Sequence, residues 1–199
     1  MTATPLIAVA LGFEARAVKA GWPDADVAVV GMRARNLQRV SAHEGPVLLL
    51  GFGGGLRAGQ RPGDVVVGTD IRDRDRHVRL PRAREAREAL RQAGLAASSG
   101  IVWCSEVIVR GAARAKLAET ASVVDMESAP ILAACSPDRL VVVRVLVDTP
   151  QRGLVRASVL NGRRAKRALS AASAALAAHY ETISSGTVNV AAHATGRDA

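Results

Sequence analysis

Val123-Val124-Asp125-Met126-Glu127-Ser128-Ala129, followed by Val141-Val142-Val143-Arg144-Val145-Leu146-Val147-Asp148, decides the fold. Each stretch is a short, β-branched apolar run that ends on acids. Runs of this kind, without polar alternation, read as strands covered on both faces. Glu127 and Asp148 then stand at strand ends, where an uncompensated carboxylate is costly. Two such acids at one sheet edge can divide substrate gripping from proton transfer.

Further candidates lie on both sides. Leu6–Leu11, Val27–Val30, Pro46–Leu50, Asp64–Gly68 and Ile101–Val109 read as strands. Glu14–Ala20, Arg82–Arg91, Ala112–Glu119 and Ala129–Cys135 read as helices, with Pro130 tolerated in a first turn. Residues 72–77 form a charged loop. Ala157–Tyr180 carries the clearest helical period, with Leu169, Ala172, Leu176 and Tyr180 on one face. Alternating short strands and helices imply an α/β sandwich with a central, largely parallel sheet. Residues 1–182 read as a single domain, and 183–199, small and polar, as a flexible tail.

The 199 residues suffice for a sizeable core, and 49% hydrophobic content excludes disorder. With aromatics at 3%, that core is built from Val, Leu and Ala. The formal net charge of +9 suggests an anionic partner. Cys104 and Cys135 fit no metal spacing and read as reduced thiols of a cytoplasmic protein. No signal peptide is evident, and no apolar stretch is long enough to span a bilayer. The four histidines show no ligand spacing, so no metal is expected.

In open α/β sheets, ligands bind at the carboxyl ends of the strands. That draws Gly53, Gly54, Glu127 and Asp148 to one place. Gly51–Gly55 reads as a loop after a strand, either presenting backbone N–H groups to an anion or simply making a tight exit. It is neither a P-loop nor a dinucleotide fingerprint. Taken alone, Glu127 reads first as a helix-start acid, and Asp148 as a turn residue before Thr149-Pro150. Glu14, just past the first strand, is either a third acid at that edge or a helix-start residue.

Asp125-Met126-Glu127-Ser128-Ala129, the spacing to Asp148 and Gly54-Gly55-Leu56 after a strand resemble the nucleoside phosphorylase superfamily. That group includes purine nucleoside phosphorylases and methylthioadenosine/S-adenosylhomocysteine nucleosidases. Gly12-Phe13-Glu14-Ala15-Arg16 and Asp125–Ser128 look most like its hopanoid-associated phosphorylases. The resemblance implies a three-layer α/β/α sandwich with a central mixed, largely parallel sheet. It implies cleavage of a purine N-glycosidic bond, releasing adenine from an adenosine derivative such as adenosylhopane. The hydrolytic methylthioadenosine/S-adenosylhomocysteine reaction is the alternative.

The resemblance also implies residue roles. Glu127 accepts the ribose hydroxyls, and Asp148 is the general acid at purine N7. Met126 packs on the sugar, and Asp125 and Glu14 complete the substrate site. Gly53, Gly54 and Arg33 would meet phosphate or attacking water, with an exposed arginine the other reading of Arg33. No cofactor is implied, only inorganic phosphate as a co-substrate. Val147 stands where the family commonly has Ser, so a hydroxyl beside the catalytic Asp is missing. The resemblance further implies a homo-oligomer.

A basic nucleic-acid-binding module is the reading from another class, carried by the charge, Arg72–Arg91 and Arg163-Arg164-Ala165-Lys166-Arg167. No nucleic-acid motif or aromatic interleaving accompanies it. If the nucleoside is lipid-linked, the same basic faces would hold a cytoplasmic enzyme against the inner face of an anionic membrane. A solvated surface is the favoured reading of those faces.

Overall fold

The computed structural model describes residues 4–150 and 160–194; for 160, 161 and 184–194 it describes the backbone alone. Among the described residues, eight strands form one sheet: β1 (Leu6–Val9), β2 (Asp26–Val29), β3 (Val47–Gly55), β4 (Val65–Arg72), β5 (His77–Arg79), β6 (Ala97–Cys104), β7 (Val123–Asp125) and β8 (Leu140–Asp148). Among the described residues, six α-helices accompany them, with short 3-10 helices at Met32–Ala34 and Pro137–Arg139: α1 (Gly12–Gly21), α2 (Gln38–Ala42), α3 (Ala83–Gln92), α4 (Gly111–Leu117), α5 (Ser128–Ala134) and α6 (Leu160–Ala194).

The sheet is mixed. β1 pairs in parallel with β2 and β3, β3 with β8, β4 with β6, and β6 with β7. Antiparallel pairs join β3 to β7, β4 to β5 and β4 to β8. The ladder β3–β8–β4–β6–β7–β3 therefore closes on itself, while β2, β1 and β5 extend from it.

Two apolar cores lie on the two sides of the sheet, giving the expected three layers. One packs Val141, Val143 and Val145 of β8 against Val18 of α1, Leu90 of α3 and Leu169, Ala172 and Leu176 of α6. The other packs Leu140, Val142 and Leu146 against Val40 of α2 and Ile131 of α5. Odd residues of β8 thus face one core and even residues the other, as the strand period of two requires. Arg144 is an even residue and fully buried. The face that holds Leu140 and Val142 therefore also presents Arg144 and then Asp148.

Several boundaries differ from the sequence reading. β6 ends at Cys104 because the Ser105 hydroxyl donates to Val107 O (2.8 Å) and accepts from Val107 N (3.3 Å), turning the chain. Val107 and Ile108 are consequently exposed loop residues. The charged stretch read as a loop is a hairpin: β4 runs to Arg72, Asp73 accepts N–H bonds from Asp75 and Arg76, and β5 follows. Past residue 182, α6 continues to Ala194 where a tail was read. Residues 157–159 of the expected helix lie outside those described.

The glycine segment is also a correction. Gly51–Gly55 is the end of β3, laddered to β8 and, at Gly54 and Gly55, to β7. Its glycines are needed for close packing. A Cβ on Gly53 would lie 2.7 Å from a Val123 methyl. A Cβ on Gly54 would lie 2.9 Å from Asp148 Oδ1 and 3.0 Å from Arg114 Nη2.

Candidate active site

The polar centre of the molecule is built on Arg144. Its Nε and Nη2 donate to Asp125 Oδ2 at 2.8 and 2.5 Å, and Nη2 also reaches Glu127 Oε2 at 3.4 Å. Asp125 Oδ1 accepts from the Ser128 hydroxyl (2.7 Å), which ties β7 to the start of α5. With both oxygens engaged and its side chain inaccessible, Asp125 holds Arg144 in place.

Glu14 enters from the first turn of α1. Its Oε2 accepts from Leu11 N (2.8 Å) and its Oε1 from Phe52 N (2.7 Å). The carboxylate and Arg144 Nη1 both border Gly51, where a Cβ would stand 2.7 Å from Glu14 Oε1 and 2.9 Å from Nη1. Nη1 has no hydrogen-bond partner among the described residues and is closed to solvent. A buried donor left unpaired costs about 1–3 kcal/mol.

Glu127 Oε1 accepts from the backbone N–H of Arg33 at 3.1 Å. Arg33 therefore serves the cluster through its backbone, while its side chain is exposed. It reaches that position in a left-handed conformation, φ 60°, followed by Ala34 at φ 49°. For non-glycine residues this costs about 1–2 kcal/mol each. Met126, half-buried, adjoins Glu127.

Three carboxylates surround one guanidinium, so they cannot all be ionised cheaply in a buried place. Burial pushes the Glu14 carboxyl above the usual carboxylate range, against the Phe52 N–H and Arg144. Burial likewise raises Glu127, with Arg144 opposing and Asp125 adding to the rise. Burial works against the charge of Arg144, but Asp125, Glu127 and Glu14 outweigh it and hold the guanidinium cationic. Acids raised in this way can exchange protons nearer neutrality. Cys104 is the opposite case: burial, with Asp125 adding, pushes its thiol up to about 12.

Asp148 lies four residues beyond Arg144 on the same strand face, about 13 Å along at 3.3 Å per residue. It is buried and gripped by Arg114 of α4: Nη1 donates to Oδ2 at 2.7 Å and Nη2 to Oδ1 at 3.1 Å. Nε and Nη2 of Arg114 also donate to Gly55 O, at 3.2 and 2.7 Å. Val147 turns to the other face and packs against the helix-side core. Arg114 therefore does the orienting that a neighbouring hydroxyl would otherwise do.

The structure thus gathers Glu14, Glu127 and Arg33 N–H around Arg144, and sets Asp148 beside Gly54. Sequence reasoning missed both arginines. Arg144 carried a signal: a charge inside a Val-rich strand must find acids. Arg114 carried none, being one of two basic residues in the short helix Gly111–Leu117.

Fold and site together define an α/β protein with a buried carboxylate–guanidinium centre at a mixed sheet. The sequence model of the phosphorylase superfamily matches residues 31–178, and the chain belongs to that superfamily. No curated protein matches the chain by sequence. Among solved structures, the fold is similar to that of the Campylobacter jejuni 5′-methylthioadenosine/S-adenosylhomocysteine nucleosidase. The TM-score is 0.76 at 14% identity, covering 90% of this chain and 99% of that one. The futalosine hydrolase of Helicobacter pylori gives a TM-score of 0.72 at 14% identity, covering 92% and 99%. The Neisseria meningitidis nucleosidase in complex with methylthio-immucillin-A gives 0.65 at 18% identity, covering 88% and 100%.

Proposed function

We propose that this protein cleaves the N-glycosidic bond of a purine nucleoside, releasing adenine from an adenosine derivative. The observation that carries the reading is the Arg144 cluster, which sets Glu14 and Glu127 on one side of the glycine strand end, with Asp148 farther along the same face. Each Glu127 oxygen retains a lone pair beyond its bonds to Arg33 N–H and Arg144, enough to accept the ribose 2′- and 3′-hydroxyls. Asp148 stands at the leaving base. The transition state is oxocarbenium-like, as in glycoside hydrolysis, and the anionic cluster favours the charge that grows on the sugar.

The attacking oxygen belongs to phosphate or to water. Hydrolysis is the second reading, and Glu14 favours it: a buried carboxylate with raised proton affinity, next to the unpaired Nη1 of Arg144, suits a base for water. In the hydrolytic course water gives its oxygen to C1′ and its proton to Glu14. Inorganic phosphate is the co-substrate of the other course, and no further cofactor enters either.

A lipid-linked nucleoside such as adenosylhopane is the proposed substrate within this class. No helix among the described residues is long and apolar enough to cross a membrane. The exposed Arg163, Arg164, Lys166 and Arg167 would supply contact with an anionic bilayer on the cytoplasmic side. A homo-oligomer is part of the same proposal.

The test is release of free adenine from adenosine, 5′-methylthioadenosine, S-adenosylhomocysteine and adenosylhopane, with and without phosphate. Asp148→Asn is expected to lower turnover by about 10²–10⁴-fold with the fold intact. Unchanged adenine release by that variant removes the assignment.

A further inference from the structure

Both oxygens of Asp148 accept N–H bonds from Arg114, at 2.7 and 3.1 Å. That is the geometry of a carboxylate, not of a carboxylic acid. Arg114 is itself anchored by two bonds to Gly55 O and a longer one to Asp148 O (3.4 Å). Gly54 has no side chain to displace the pair. The Arg114 side chain is 11% exposed and that of Asp148 3%. A proton donor at the departing base would have to break this ion pair first.

The pair has unused capacity. Nη1 carries two hydrogens and gives one to Oδ2; its second has no acceptor among the described residues. Oδ2 accepts that one bond and keeps a second lone pair. A free donor and a free acceptor therefore sit side by side, 2.7 Å apart at their heavy atoms. Adenine shows the complementary couple on one edge, N7 as acceptor and the 6-amino group as donor.

We propose that Arg114, rather than Asp148, supplies the hydrogen bond to purine N7, with Asp148 accepting from the 6-amino group. This rests on the N-glycosidic reading above and divides its leaving-group step between two residues. The C1′–N9 bond breaks with its electron pair passing to the purine. The C1′–O bond forms to water or phosphate. Arg114 keeps its proton throughout and stabilises the charge by hydrogen bonding and Coulomb attraction. Adenine takes its proton from solvent on release. A purine with oxygen at position 6 would place two acceptors against one donor and one acceptor, and is disfavoured.

The experiment compares wild type, Arg114→Met, Arg114→Lys and the charge-neutral pair Arg114→Met/Asp148→Asn. The substrates are adenosine, 5′-methylthioadenosine, adenosylhopane, inosine and 4-nitrophenyl β-D-ribofuranoside, whose leaving group needs no help. For wild type, kcat on the adenine nucleoside that is turned over should stay flat from pH 7 to 9, because a guanidinium does not titrate there. Arg114→Met should lose about 10²–10³-fold on that nucleoside. On the nitrophenyl riboside it should stay within about threefold of wild type, a bound well inside that loss. Arg114→Lys should restore part of kcat, and the double variant should remain folded yet slow.

A wild-type kcat that falls tenfold per pH unit above neutrality overturns the inference. So does equal loss on both substrate types by Arg114→Met, or preference for inosine; in each case nucleoside cleavage itself still stands. Failure of wild type to cleave any of the five compounds removes the proposed function and this inference together.

Discussion

Replacing Arg144 with Met removes the shared counter-charge of Asp125, Glu127 and Glu14 while keeping most of the side-chain length. Arg144 is wholly buried and makes contacts of 2.5 and 2.8 Å to Asp125 and 3.4 Å to Glu127. Breaking a buried pair by deleting one partner costs about 3–5 kcal/mol. That is a large share of the about 5–15 kcal/mol that stabilises an ordinary domain. The loss should depend on pH. Glu14 and Glu127 already bind protons more tightly folded than unfolded. Their stabilising contribution is therefore fully present below the ordinary value of 4.5 and is lost as pH rises through their raised folded values. Without Arg144 both should rise further, each additional unit steepening the loss by about 1.4 kcal/mol. Urea unfolding at pH 5 and pH 7.5 measures this. Arg144→Met should lose about 3–5 kcal/mol at the higher pH and clearly less at the lower. A loss under about 1 kcal/mol at pH 7.5, the scale of a surface ion pair, would refute the reasoning. So would a loss that is the same at both pH values.

Three further outcomes follow from particular contacts. Arg33→Gly relieves a left-handed φ of 60° and should stabilise the fold by about 0.5–1 kcal/mol, with the phosphate KM unchanged because only the Arg33 backbone reaches Glu127. A tenfold rise in that KM would show instead that its side chain binds phosphate. Gly54→Ala brings a methyl to 2.9 Å from Asp148 Oδ1 and 3.0 Å from Arg114 Nη2, and should cut kcat at least about tenfold by forcing the pair apart. Wild-type turnover in that variant would mean that the pair is not engaged in the reaction. Cys104, half-buried and with its thiol raised to about 12, should resist iodoacetamide at pH 8; rapid alkylation at that residue, read by mass spectrometry, would contradict the raised thiol.

Much of the fold was legible because its signals are local. The Val-rich runs at 123–125 and 140–148 are strands since β-branched side chains suit a pleated, covered surface. Leu169, Ala172, Leu176 and Tyr180 share a buried face because their spacing follows the helical turn. Local signals failed at Gly51–Gly55, where a run of glycines reads as a loop. Those residues continue a strand because Glu14, Arg144, Val123, Asp148 and Arg114 fill the space their side chains would need. Ile101–Val109 was likewise too long as a strand, since a hydroxyl at Ser105 turns the chain whatever the apolar content beyond it.

By itself the sequence determined the layer architecture and the placing of Glu14, Glu127 and Asp148 at strand ends, because hydrophobic period and strand length are properties of neighbouring residues. Only the tertiary structure decided how these acids are charged and held. That depends on Arg144 reaching Asp125 and Glu127 across 19 and 17 positions, on Arg114 reaching Asp148 across 34, and on the Phe52 N–H reaching Glu14 across 38. Such pairings follow from how the sheet closes on itself, and the proton affinity of a buried carboxylate is set by what that closure brings beside it.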